Sequence, residues 1–407
     1  MNKRKVFNDP VHGFIRIPYD IIFDIIEHPY FQRLRRIKQL GLTDYVYPGA
    51  NHTRFHHALG AFHLMQKAIF TLRQKEVEIT VEEEKAALIA ILLHDIGHAP
   101  FSHTLEHCIL DKVSHEYVSL LFMKELNKEF DGALDLAIKV FQNQYSKKFL
   151  YQLISGQLDV DRLDYLTRDS FFTGVSEGVI NYNRIIDMMH VKNDELVIEQ
   201  KGIYSIEKFL ISRRIMYWQV YLHKTVICAE EMLIQVLKRA KELVKSKEPL
   251  SASEPLMYFL ENNISKANFN KEEISLKNYA LLDDVDIFSA VKTWVNHSDK
   301  VLAFLCKSLV DRRLFKLKMQ NEAFSNSFIL AKREELILRY KLNSAEIDKL
   351  IIQNDMTIYM YNMNEKKINI LYKDGSLLDF AKATDQWNIS ALSLPVSKYY
   401  VCFPKLS

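Results

Sequence analysis

The strongest candidate for chemistry is the segment Leu92-Leu93-His94-Asp95-Ile96-Gly97-His98. It is typical of an apolar helix that ends in adjacent imidazole and carboxylate side chains beside a glycine. Neighbouring residues point about 100° apart on a helix, yet at its terminal turn both side chains can reach one ion held beyond the end. A lone His-Asp pair is more often a helix-terminal cation beside a surface carboxylate, so the flanking residues decide between the two interpretations.

Two further segments offer the ligands that such an ion would still need. His57 ends the run His52–His57, and Asp161 lies within Asp159–Tyr165. Mixed imidazole and carboxylate ligands suit Mn, Fe, Co, Ni or Zn better than Ca, and Mg is a further candidate. They also leave positions open for water and a substrate oxygen. We therefore expect a divalent metal cofactor whose identity the sequence does not specify.

The residues around these ligand candidates are suited to phosphate. Arg54 precedes His57 by three residues and shares its helix face, which places a phosphate-binding cation beside the expected ion. Asp161, Tyr165 and Asp169 recur every four residues and also share one face. Of the 14 histidines, 11 fall within the first 115 residues, so the chemistry is expected in the first third of the chain.

A second set of polar residues lies on a long apolar stretch, residues 203–247, which contains no Pro or Gly. Its apolar period predicts one long helix or two nearly collinear helices. On such a helix Arg213, Tyr217, Tyr221 and Lys224 would form one stripe. The stripe either supplies cations to an anionic substrate or simply packs, with the charged groups reaching solvent.

Composition excludes several classes of protein. The 407 residues are 48% hydrophobic and 26% charged, which rules out disordered and fibrous chains. A balance of 54 − 51 = +3 gives no basis for a nucleic-acid or membrane-surface binder, so nucleic acid stays an open partner. The four cysteines lie far apart and the N-terminus lacks an apolar signal core, so we expect a cytoplasmic protein without membrane spans.

The chain is expected to be mostly α-helical, because 11 glycines and nine prolines are too few for a turn-rich β fold. We predict a helical catalytic core over residues 1–245 and a helical extension with an α+β C-terminal region over 246–407. The β-branched and aromatic runs Thr357–Asn362, Lys367–Tyr372 and Lys398–Phe403 are predicted strands.

An ordered series of motifs resembles the HD-domain phosphohydrolases. Within that family the chain is similar to the deoxynucleoside triphosphate triphosphohydrolases that carry SAM and HD domains, and to their bacterial dNTPase and dGTPase-like relatives. The similarity covers about the first 240 residues and is weaker in the tail. It is carried by Lys5–Gly13, Phe31–Arg35, Lys38–Gly41, Tyr47–Ala50, Arg54–His57, Leu92–His98, Pro100–His103, Asp159–Tyr165, Arg168-Asp169 and Tyr221–Lys224.

The resemblance implies roles for individual residues. The implied metal ligands are His57, His94, Asp95 and Asp161. The residues implied near the attacked α-phosphate are His98, His103, Glu106 and His115, where Glu106 replaces an Asp of the family. The residues implied to bind substrate are Gln39, Leu40, Arg54, Arg162, Tyr165, Asp169, Arg213, Tyr221 and Lys224.

The function implied is cleavage of a dNTP into a deoxynucleoside and triphosphate. The ion would polarise the α-phosphate and orient a water, while a neutral histidine such as His103 or His115 exchanges the proton. Tyr221 would crowd the 2′ carbon and favour deoxyribose. Two alternatives stay open: another HD phosphohydrolase, either a nucleotidase or a phosphodiesterase, and a non-catalytic nucleotide or nucleic-acid binder that keeps the metal for stability.

The resemblance also implies regulation by an activating nucleotide bound between subunits of a homo-oligomer, either a dimer or a tetramer. Glu27 stands where the family has an Asp that reads a guanine edge. The alternative is that the N-terminal segment only packs as a strand. The implied regulatory residues are Lys5, Val6, Asn8, Gln32 and Arg35.

Overall fold

The computed structural model describes residues 5–266, 269, 273–358, 367–384 and 396–405. Helices predominate in these ranges, which confirms the expected mostly α fold. Across this part of the chain, no helix is both long enough and apolar enough to span a membrane.

The first part of the chain is built from successive helices, many of them short. They are α1 Asp20–Glu27, α2 Pro29–Gln32, α3 Arg54–Gln74, α4 Val81–Leu93, α5 Glu106–Ile109, α6 His115–Glu129, α7 Asp135–Phe141, α8 Lys148–Ile154, α9 Val160–Thr173, α10 Tyr182–Asp187, α11 Ile203–Met216 and α12 Lys224–Lys245.

Helices continue through the second part of the chain, where they alternate with strands towards the C-terminus. They are α13 Glu254–Glu261, α14 Glu273–Leu281, α15 Asp284–Thr293, α16 Lys300–Val310, α17 Asn326–Tyr340, α18 Ser344–Asp348 and α19 Phe380–Ala383.

The strands form several small sheets. They are β1 Val6–Asp9, β2 Gly13–Arg16, β3 Leu110–Asp111, β4 Met189–Lys192, β5 Glu195–Glu199, β6 Ile264–Ser265, β7 Lys316–Gln320, β8 Ile352–Ile358, β9 Asn369–Leu371, β10 Leu377–Asp379 and β11 Val396–Phe403. Strands β1 and β2 make an antiparallel hairpin, β10-β9-β5-β4 and β7-β11-β8 make larger sheets, and β3 pairs with β6. The C-terminal α+β texture is thereby confirmed, although residues 359–362 of one predicted strand lie outside the described residues.

Residues 203–247 form two helices, α11 and α12, which is one of the two arrangements predicted, with a break between them that the sequence did not predict. A π-helical turn, Tyr217–Tyr221, follows α11, and the chain then leaves the helix before α12 begins. His223 caps the start of α12, because its side chain accepts a hydrogen bond from the Thr225 amide at 3.2 Å. Because a π turn inserts an extra residue and commonly kinks a helix, residues on its two sides do not share one stripe.

Two glycines allow the helices that carry the candidate ligands to approach closely. A Cβ on Gly60 of α3 would lie 2.0 Å from Asp164 Oδ1 and 2.2 Å from Arg168 Nη2, both on α9. A Cβ on Gly97, just after α4, would lie 2.3 Å from the His115 carbonyl oxygen at the start of α6. Because these two positions carry no side chain, α3 can pack closely on α9, and the end of α4 can pack closely on the start of α6.

Candidate metal centre and active-site cavity

Four side chains from three helices meet at one point in the core. His57 lies in the first turn of α3, Asp161 lies in the first turn of α9, and His94 and Asp95 follow the last turn of α4. His57 Nε2 lies 3.0 Å from Asp161 Oδ1, and His94 Nε2 lies 3.5 Å from the same oxygen. Asp95 closes the group, with its oxygens 3.4 Å and 3.3 Å from these two nitrogens.

The orientation of the two imidazole rings fits a metal ion. His57 Nδ1 lies 2.8 Å from Asp164 Oδ2, and His94 Nδ1 lies 2.6 Å from the Ile91 carbonyl oxygen. Each ring therefore donates its proton from Nδ1, which leaves the Nε2 lone pair directed at the cluster. Both Nε2 atoms are buried and lack a hydrogen-bond partner among the described residues. Two such nitrogens facing two carboxylates form a donor set that could hold a divalent cation.

The electrostatics of the cluster favour positive charge at its centre. Burial lowers the pKa of His57, but the carboxylates of Asp161 and Asp164 outweigh this effect and raise it to about 10. Burial raises the pKa of Asp161, but the histidines beside it hold that pKa well below its usual range. The carboxylates therefore stay ionised and hold a proton on His57, which a bound cation would displace to take Nε2 as a ligand.

A further layer of ion pairs behind His57 was missed by the sequence analysis. Asp164 Oδ1 accepts a hydrogen bond from His12 Nε2 at 2.6 Å, and Asp164 Oδ2 accepts one from Arg168 Nε at 2.9 Å. Arg168 also pairs with Asp9 of β1 at 2.8 Å. The N-terminal hairpin thus fixes the carboxylate that orients His57. His12, Asp9 and Asp164 occur in the motifs of the sequence, but nothing in their spacing shows this contact.

Two arginines lie close to the cluster. Arg54 Nη1 lies 2.5 Å from Asp95 Oδ2, and its Nε donates to Ser102 Oγ at 2.9 Å. Arg162, in the first turn of α9, is held 3.4 Å from Asp159 Oδ2. Each guanidinium keeps further N–H groups for an anionic ligand.

A histidine cluster lies on the other side of Asp95. The His98 and His115 rings stack with centroids 3.9 Å apart. Glu106 accepts from His103 Nδ1 at 3.1 Å and from His115 Nδ1 at 2.9 Å, so its longer side chain reaches both rings. Burial lowers the pKa of His115, but the hydrogen bond to Glu106 and the charge of Asp95 raise it above its ordinary value.

A cavity of about 740 Å³ opens beside these groups. In its wall, the Tyr221 hydroxyl donates to Asp169 Oδ2 at 2.8 Å, and His52 Nε2 lies 2.7 Å from Asp169 Oδ1. The sequence-predicted residues that line it are Gln39, Leu40, Arg54, Asp95, His98, His103, His115, Asp161, Arg162, Tyr165, Asp169 and Tyr221.

Two predicted substrate-binding residues do not line this cavity. Arg213 stands over the Tyr217 ring, 5.6 Å from its centroid, and is not part of the cavity wall. Lys224 lines a separate cavity with Leu317 and Phe324. The Tyr217 and Tyr221 rings lie 5.2 Å apart, so Arg213, Tyr217 and Tyr221 follow one another as predicted, whereas Lys224 comes after the break.

The predicted regulatory residues lie at the surface around Phe55. Arg35 stacks on its ring at 3.6 Å and donates to Gln32 Oε1 at 2.7 Å. Phe7 of β1 contacts the same Phe55 ring edge to face at 6.3 Å. The remaining members, Lys5, Val6 and Asn8, are exposed on or beside β1.

Comparison with known proteins agrees with this geometry. Residues 54–169 match the HD domain, and residues 180–254 match the HD associated region. A crystal structure of a phosphohydrolase from Bacteroides thetaiotaomicron is 50% identical, with a TM-score of 0.96, and the match covers 99% of this chain and 100% of that one.

Curated proteins are also similar to this chain. The uncharacterized protein YwfO of Bacillus subtilis is 35% identical over 78% of this chain and 72% of its own length. A deoxynucleoside triphosphate triphosphohydrolase SAMHD1 homolog of Dictyostelium discoideum is 29% identical over 73% of this chain and 62% of its own length. The chain belongs to the HD-domain phosphohydrolase family.

Proposed function

We propose that the protein is a metal-dependent triphosphohydrolase that cleaves dNTPs into a deoxynucleoside and triphosphate. The observation that carries this proposal is the order of groups along one cavity. The His57 cluster and two arginines lie beside the pair Tyr221–Asp169, so phosphate-binding and sugar-binding groups are adjacent. Similarity to a named dNTP triphosphohydrolase supports the same substrate class.

The metal would be held by His57, His94, Asp95 and Asp161. When bound, a divalent ion supplies positive charge to the phosphate under attack and lowers the pKa of a water molecule. The Asp164 carboxylate keeps His57 in the tautomer whose Nε2 is a ligand.

The remaining steps belong to side chains of the protein. Arg54 and Arg162 bind phosphate oxygens and offset the negative charge of the triphosphate. Water attacks the α-phosphorus, and the bond from that phosphorus to the 5′ oxygen breaks. His115, whose pKa is raised by Glu106, donates a proton to the leaving 5′ oxygen and recovers one from the attacking water, so a protonated histidine takes the place of the neutral one expected from the sequence. Asp169 accepts a hydrogen bond from the 3′ hydroxyl, and Tyr221 occupies the space that a 2′ hydroxyl would need.

Regulation is a separate part of the proposal. The surface around Phe55, where β1 and Arg35 meet, would bind an activating nucleotide between subunits of a homo-oligomer. Catalysis and regulation then use different parts of the chain, since His57 of α3 is buried in the core and Arg35, which precedes α3, is exposed.

Chromatography of the products tests the function. Wild-type protein with added Mn²⁺ should convert a dNTP into deoxynucleoside and triphosphate. Asp95→Ala should lose both bound metal and activity, whereas the exposed Asp187→Asn control should keep both. Release of single phosphates would instead identify a nucleotidase, and an absence of hydrolysis with any dNTP would refute the proposal.

A further inference from the structure

One wall of the cavity is acidic and contains a carboxyl group that the proposed mechanism does not use. Helix α12 presents Ile227, Glu230, Glu231 and Ile234 along a single face to the cavity. Glu230 Oε1 stands so close to Gly41 that a Cβ there would lie 2.9 Å from it. We call this set, with Tyr400 and Met356 from the C-terminal sheet, the Glu230 wall.

The C-terminal sheet fixes the Glu230 wall from behind. The Tyr400 hydroxyl of β11 donates to Glu231 Oε1 at 2.6 Å, and the Asn354 amide of β8 reaches the same oxygen at 3.3 Å. Glu231 is therefore occupied by the protein itself. Glu230 differs, because its neighbours are the Thr104 hydroxyl and Gly41.

Among the described residues, no lysine, arginine or histidine side chain forms an ion pair with the Glu230 carboxyl group. Burial, aided by the charge of Glu231 and opposed by a hydrogen bond from Thr104, raises the pKa of Glu230 to about 7. A buried carboxyl group without a cation gains free energy from any ligand that brings N–H donors to it.

Charge decides which part of a nucleotide lies against this wall. A triphosphate carries several negative charges, so it is repelled by Glu230 and Glu231 and attracted to Arg54 and Arg162. A nucleobase is neutral and flat. Ile227, Ile234 and Met356 supply apolar surface for its faces, and Glu230 is the polar group left for its edge.

We infer that Glu230 is a specificity-determining residue that reads the base edge and selects guanine. This inference rests on the proposed function. A carboxylate accepts two adjacent N–H donors, and the N1–H and N2–H₂ groups of guanine form such a pair. Adenine, cytosine and thymine each place at least one acceptor on the corresponding edge, which would face the carboxylate oxygens without a hydrogen bond.

The test compares kcat/KM for dGTP, dITP, dATP, dCTP and dTTP in wild type, Glu230→Gln and a control. The control is Glu242→Gln on the same helix, whose carboxylate pairs with Arg239 and Lys349 outside the cavity. Wild type should prefer dGTP over dITP, which lacks the 2-amino group, by about tenfold. Glu230→Gln should remove most of that preference by lowering dGTP turnover alone, and Glu242→Gln should preserve it.

Several results would overturn the inference. The inference is wrong if wild type shows equal kcat/KM for dGTP and dITP. It is also wrong if Glu230→Gln, at an unchanged melting temperature, loses kcat/KM equally for all five substrates. Neither result would contradict hydrolysis itself. If Glu230→Gln does not fold, Glu230→Asp, which shortens the reach, should show the same loss of preference. If no dNTP is hydrolysed, the proposed function fails, and binding of the same five nucleotides is then measured by calorimetry. Selective binding of dGTP that is lost in Glu230→Gln would support the inference. Equal binding of all five nucleotides, or no binding, would refute it.

Discussion

Asp164 Oδ2 lies 2.8 Å from Nδ1 of His57, on the side of the ring opposite the candidate metal centre. The carboxylate is buried and is held by Arg168 and His12 as well. Burial raises the pKa of Asp164, but these cationic neighbours keep it well below its usual range, so the group stays ionised. The metal ligand is thus oriented by an ion-pair network that begins in the N-terminal hairpin.

The first prediction concerns Asp164→Asn. An amide cannot replace the carboxylate that fixes the His57 tautomer, so metal affinity should fall about 10- to 100-fold, the usual effect of losing such a partner. Metal titration by calorimetry measures this, with melting temperature as a check on folding. The exposed Asp187→Asn is the matched control. Unchanged affinity in a folded Asp164→Asn would contradict the role assigned to Asp164.

Sugar selection is tested at Tyr221. Its hydroxyl is tied to Asp169, which holds the ring against the cavity wall. Wild type should turn over dATP at least about tenfold faster than ATP, because a crowded site rejects an added hydroxyl by a factor of this order. Tyr221→Ala should raise ATP turnover, and Tyr204→Ala, 70% exposed, should not. Comparable rates for ATP and dATP in wild type would refute this role.

The pH profile should respond to Glu106. A protonated His115 is needed for proton donation, so activity falls as pH rises through its pKa. Glu106→Gln removes a hydrogen bond that raises this pKa, and the alkaline limb should move to lower pH. Glu116 also raises the pKa of His115 but is 60% exposed, so Glu116→Gln should give a smaller shift. An unchanged profile in Glu106→Gln would exclude His115 as the proton donor.

Regulation predicts that assembly and activity rise together. An activator that binds only the assembled state must stabilise it, by linkage. Mass is measured by light scattering and the initial rate is measured with one dNTP, each with and without a second nucleotide. The second nucleotide should raise both the mass and the rate in wild type and in the exposed control Arg313→Ala. Both responses should be lost in Arg35→Ala. If neither mass nor rate responds to any nucleotide, the regulatory role is wrong.

Local sequence patterns predicted the parts of the site that depend on local structure. The helix ending at Leu93 and the helix face carrying Asp161, Tyr165 and Asp169 follow from periodicity, and the cavity contains all three. The contact between His57 and Asp164 joins residues 107 positions apart, which periodicity does not reveal.

The errors have the same physical origin. Nothing in the composition of Tyr217–Tyr221 distinguishes a π turn from α-helix, so the break between Tyr221 and Lys224 was not predicted. The Glu230 wall was missed because it needs β11 from the far end of the chain to pack on α12. Packing between distant segments decides both features.

The most direct test of the account is hydrolysis of a dNTP in ¹⁸O-labelled water, followed by mass analysis of both products. Attack at the α-phosphorus with cleavage of its bond to the 5′ oxygen places one labelled oxygen in triphosphate and none in the deoxynucleoside. Label in the deoxynucleoside would contradict attack at the α-phosphorus, and pyrophosphate or single phosphate as the released product would contradict a triphosphohydrolase.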